Sequence, residues 1–84
     1  MLKTLITCYY ITSLIQEKNI YLPLETKTRL HQLCPSISAH LLGGDTVLDG
    51  AVETLLNFVD GSPVCKWPEE ENYLQLVGLS CSDL

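Results

Sequence analysis

Apolar side chains recur along the chain at helical spacing, and the sharpest run follows Gly43-Gly44. Leu48, Ala51, Val52, Leu55, Leu56 and Val59 fall at i, i+3, i+4, i+7, i+8 and i+11. That is one broad apolar helix face, where a strand would alternate. Asp45, placed after two glycines, predicts the N-terminal cap, and Asp60-Gly61-Ser62-Pro63 predicts the end. Gly50 weakens such a helix by about 1 kcal/mol relative to alanine, which points to a close helix contact. A second start signal is Trp67-Pro68-Glu69-Glu70-Glu71. Proline fits the first helical position, where no amide needs a partner, and three glutamates meet the positive end of the helix dipole. Tyr73, Leu74, Leu76 and Val77 supply the buried face, and Gly78 predicts the stop before a closing turn.

Leu22-Pro23-Leu24-Glu25 repeats this grammar more faintly, with Lys27, Arg29 and His31 toward the end and Pro35 as the breaker. Leu30, Leu33 and Cys34 are expected to face inward. In the first segment, Leu2, Leu5, Ile6, Tyr9, Tyr10 and Leu14 suit a helix. The β-branched and aromatic cluster from Leu5 to Thr12 would also suit a strand; helix is the preferred reading. Residues 37–42 fit either a short helix or a loop. Trp67, the only tryptophan, is expected to lock the last two helices together from inside; exposed, it would be a candidate binding anchor. A buried ring there would make Trp67→Ala cost about 3–5 kcal/mol, and Leu55→Ala about 2–5 kcal/mol.

Composition narrows the function. The chain has 84 residues, room for one compact domain spanning 1–84. Hydrophobic residues at 46 % against 18 % charged exclude bulk disorder. Five basic against ten acidic side chains give a net charge of −5. That sign repels phosphate backbones, so direct nucleic-acid binding is not expected, nor is a polybasic membrane anchor. No apolar run reaches the roughly 18 residues that a membrane span needs. The stretch from Met1 to Ile15 is broken by Thr4, Thr7, Thr12 and Ser13 and lacks a small-x-small cleavage site, so it reads as part of the fold.

Candidate chemistry is sparse. Cys8, Cys34, Cys65 and Cys81 are widely and irregularly spaced with no CxxC pair, which fits reduced thiols in a cytoplasmic protein. His31 and Cys34 could share a helix face, but zinc needs about four ligands and His40 and the other cysteines are scattered. These cysteines read as core residues. Glu69 to Glu71 read as a helix start, and Gly43-Gly44 lacks the lysine and flanking glycine of a phosphate loop. No metal, no cofactor, no small-molecule substrate and no enzymatic role are expected.

One set of residues carries a resemblance. Gly50-Ala51-Val52-Glu53-Thr54-Leu55-Leu56, then Trp67, Tyr73-Leu74-Gln75-Leu76-Val77, Gly78 and Leu84 are similar to the later part of the caspase-recruitment domain (CARD), a death-fold family. The closest likeness is to the domains at the N-terminus of cytosolic double-stranded-RNA sensor helicases. Upstream, Leu5-Ile6-Thr7-Cys8 and Leu22-Pro23-Leu24-Glu25-Thr26-Lys27 resemble the first and third helices of those domains. The resemblance implies an all-α, small antiparallel helical bundle of five to six helices, with a short or missing second and last helix. It also implies homotypic assembly, in which the chain recruits another CARD or itself in cytoplasmic innate antiviral defence signalling. The acidic residues Asp45, Asp49, Glu53, Glu69 and Glu70 would then meet a basic end carrying Lys27 and Arg29, with Lys3 and Lys18 nearby. Such head-to-tail contacts build strings when the rotation does not close. The alternative from charge and size is a free-standing acidic inhibitor, a viral anti-defence or immunity-type protein that blocks a basic surface of a target enzyme.

Overall fold

The computed structural model describes residues 2–37, 41 and 44–83. The helix-or-loop question over most of 37–42, and the expectations for His40, Gly43 and Leu84, lie outside the described residues. Four α-helices follow one another: α1 (Leu2–Lys18), α2 (Leu24–Leu33), α3 (Gly50–Asp60) and α4 (Pro68–Gln75). A 3-10 turn, Cys81–Asp83, comes last. Among the described residues there is no strand, only an isolated parallel bridge between Ile20 and Thr46. The all-α class is found; among the described residues the expected five to six helices are corrected to four. Too few residues separate α1 from α2 for another helix.

The first segment is helical throughout. Its buried side chains are Thr7, Cys8, Ile11, Leu14 and Ile15, a single stripe at helical spacing that overrides the local β preference. This stripe is rotated from the expected one: Leu5, Ile6 and Tyr9 are exposed.

Three helices end in the same way. After α1, Ile20 N–H donates to Ile15 O at 3.0 Å and Asn19 N–H to Gln16 O at 3.4 Å. After α3, Ser62 N–H reaches Asn57 O at 2.9 Å and Gly61 N–H reaches Phe58 O at 3.2 Å. After α4, Leu79 N–H reaches Leu74 O and Gly78 N–H reaches Gln75 O, both at 3.0 Å. Asn19, Gly61 and Gly78 are left-handed, with φ of 52°, 80° and 78°, as this closure of the last carbonyls requires. The stops expected at Gly61 and Gly78 are in place, while Asn19 substitutes for glycine after α1.

The start of α3 differs from expectation. Its cap is Asp49, whose carboxylate accepts from Ala51 N–H at 2.7 Å; Asp45 lies in the loop before it. That loop is engaged elsewhere. Gly44 N–H donates to Ile20 O, Thr46 N–H to Asn19 O and Tyr21 N–H to Thr46 O. A Cβ on Gly44 would overlap the backbone of Asn19, so this approach requires glycine.

α3 packs against each of the other three helices. Ala51, Val52, Leu55 and Leu56 join Ile11, Ile15, Leu30, Leu74 and Leu79 in one buried core. The close contact expected at Gly50 is with Tyr73 of α4, whose hydroxyl would lie 3.4 Å from an added Cβ.

The cysteines correct the reading of free thiols. Cys8 of α1 is bonded to Cys34 at the end of α2. Cys65, in the α3–α4 connection, is bonded to Cys81 in the 3-10 turn. Each pair has a Cα–Cα distance of 5.8 Å. Pairing follows from how the helices pack, which residue spacing along the chain does not encode.

Candidate interaction surface

Between α3 and α4 lies an open groove of about 350 Å³. Glu53 and Asn57 line it from α3, Lys66 and Trp67 from the connection, and Glu69, Glu70 and Tyr73 from α4. Three acidic residues, one lysine and two aromatic residues therefore line the same groove.

Trp67 is 68 % exposed, which corrects its expected place in the core and the large stability loss built on it. The physical reason is its position. Trp67 is the N-cap of α4, with extended backbone (φ −130°, ψ 147°), so its side chain does not join the helix's apolar stripe. Leu74 fills the core from α4 instead. An indole has no acceptor with which to cap a helix, and Glu70 does that work. Its carboxylate accepts from Lys66 N–H at 2.7 Å and Trp67 N–H at 2.9 Å. Pro68 sits at the first turn as expected.

The seven residues predicted to bind a partner separate into three groups. Glu53, Glu69 and Glu70 are brought together on the groove, although Glu70 is engaged in capping. Asp49 and Arg29 hold the fold. Asp49 caps α3 and pairs with Lys18 at 2.8 Å, while Arg29 of α2 donates to Asn57 at 2.7 Å and Asp60 at 3.2 Å on α3. Asp45 and Lys27 are exposed but do not line the groove.

The Lys18 hydrogen bond, aided by the Ala51 amide, holds the Asp49 carboxyl below its ordinary 3.8. The same hydrogen bond raises Lys18. A depressed carboxyl stabilises the fold above its ordinary value, and that contribution fades as pH falls through the lowered one. An exposed pair of this kind contributes little, so its role is to fix the α3 start against α1.

Sequence reasoning preferred the core over the surface for Trp67, and so missed Lys66, Asn57 and Tyr73 as its neighbours on the groove. The available signal was an aromatic directly before Pro-Glu-Glu. Such a residue falls at the cap, outside the helical period. Among the described residues no group of three or more His, Cys, Asp or Glu could hold a metal ion; Cys34 is spent in its disulfide. No described helix is long and apolar enough to cross a membrane. No protein family, curated protein or solved structure matches this chain.

An aromatic face bordered by carboxylates suits a guanidinium or ammonium group. The ring quadrupole attracts the cation and the carboxylates neutralise it.

Proposed function

We propose that this protein is an interaction module that captures a basic segment of a partner protein in the α3–α4 groove. Trp67 is the anchor, and Glu53 and Glu69 meet the incoming charge. One observation carries the reading: the only tryptophan stands 68 % exposed among carboxylates. Tryptophan is enriched among the few residues that dominate binding energy at interfaces. The carboxylates of Glu53 and Glu69 take part in none of the ion pairs or side-chain hydrogen bonds among the described residues, so their charge is available to a partner.

This reading follows the acidic-inhibitor alternative more closely than homotypic assembly. Lys18 and Arg29, needed for a complementary basic end, are occupied by Asp49 and by Asp60 with Asn57. Homotypic CARD assembly is the second reading. The Gly50–Leu56, Trp67 and Tyr73–Gly78 motifs support it, and Lys27 is its exposed basic residue. We also propose an oxidising compartment in place of the cytoplasm, because paired cysteines persist there and are rare where glutathione keeps thiols reduced.

The test is a titration of a dye-labelled arginine-glycine peptide, followed by its fluorescence anisotropy, with a labelled glutamate-glycine peptide as control. Saturable binding of the basic peptide that weakens with salt is expected. Trp67→Ala or Glu53→Lys with Glu69→Lys should weaken it by about tenfold or more. Binding that ignores both changes overturns the groove reading. Concentration-dependent self-association abolished by Lys27→Glu would favour the homotypic reading instead.

A further inference from the structure

The two disulfides differ in setting. Cys8 and Cys34 are each 3 % exposed and belong to the core, whereas Cys65 and Cys81 are half-buried at its edge. Cys65 stands two residues before Trp67 and is left-handed, with φ of 71°. That conformation is uncommon for a side-chain-bearing residue and persists where the surroundings hold it. Among the described residues, no hydrogen bond ties Pro63, Val64 or Cys65 to the rest of the chain. The disulfide to Cys81 is the covalent hold on this segment, helped by Val64 against the core. Two depressions border the segment: Pro63 lines the Trp67 groove, and Pro63 and Val64 line a second one with Phe58 and Gly61.

We propose that Cys65–Cys81 is a redox latch on the groove. A dithiol reductant opens it while Cys8–Cys34 stays closed, and opening frees the Trp67 connection and weakens capture of the basic segment. The last clause rests on the function proposed above. In the exchange, one thiolate of the dithiol attacks a sulfur of the Cys65–Cys81 bond and forms a mixed disulfide. Its second thiol resolves that bond. Cys65 and Cys81 leave as thiols with two electrons and two protons gained, and the reductant ends as a disulfide. The edge pair reacts first because attack requires access to sulfur, which burial denies to Cys8–Cys34.

Three measurements on the full chain decide this. Graded dithiothreitol followed by alkylation and mass mapping should label Cys65 and Cys81 at concentrations that leave Cys8 and Cys34 unlabelled. Amide exchange over residues 62–67 should rise by about tenfold in the reduced chain and in Cys65→Ser with Cys81→Ser, with the core amides of α1 and α3 unmoved. Affinity for the arginine-glycine peptide should fall by about tenfold in both. Labelling of Cys8 and Cys34 first or together with the edge pair overturns the latch, as does unchanged exchange over 62–67. If the oxidised chain binds no peptide, the capture reading falls, and labelling and exchange still decide the latch.

Discussion

Around Cys8–Cys34, the buried side chains are committed to the fold. The disulfide lies inside a core that includes Ile11, Ile15 and Leu30, and the nearby charges of Lys18 and Arg29 are spent on α3. Around Cys65–Cys81, the same molecule leaves a tryptophan in water, two glutamates without partners and a left-handed connection. The first region uses its side chains to hold the fold, and the second holds them out of it. Charge alone would not separate them, since acids are found in both. The separation comes from whether each charge meets an opposite one inside the chain.

The largest effect should come from the helix that both regions share. Leu55 is fully buried in α3, and Leu55→Ala should cost about 2–5 kcal/mol by urea unfolding. The loss should be the same whether Cys65–Cys81 is closed or open; a loss that depends on that bond would merge the two regions into one. Next comes Cys8→Ala with Cys34→Ala. Opening a cross-link between cysteines 26 positions apart should remove about 3–4 kcal/mol by the chain-entropy relation. A measured loss under about 1 kcal/mol would mean that packing alone holds α1 to α2. The smallest effect is expected at Trp67→Ala, below about 1 kcal/mol in the same assay, because little of the ring is buried. A loss near 3 kcal/mol would return Trp67 to the core and erase the contrast.

Much of the fold was legible where one residue type has one physical use. Gly61 and Gly78 could close helices because left-handed backbone suits them, and Pro68 could open α4 because it needs no amide partner. The start of α3 was harder. Asp45 and Asp49 both qualify as caps, and the choice between them depends on residues 44–46 being bonded to residues 19–21, a contact across the fold. The exposed face of α1 was misjudged for a related reason. Two apolar stripes run along that helix, and only α3 decides which is covered. Of the candidate site, Glu53, Glu69 and Glu70 were readable as charge, but their meeting on one groove depends on how α3 and α4 pack. The disulfides were invisible to spacing, because sulfur pairing is a product of folding.

The bridge between residues 19–21 and 44–46 has a consequence for how this architecture tolerates change. The segment that carries α2 begins and ends at one spot, so it is an excursion whose two ends are already clasped. Lengthening a clasped excursion adds little to its closure entropy, about 0.6 kcal/mol for each doubling. Insertions are therefore absorbed most cheaply at exposed positions of the excursion such as Pro35 and Ser36, away from the core residues Cys34 and Leu41. Gly44 is the position that such variation must spare, since any larger residue there would pry the excursion open at its root.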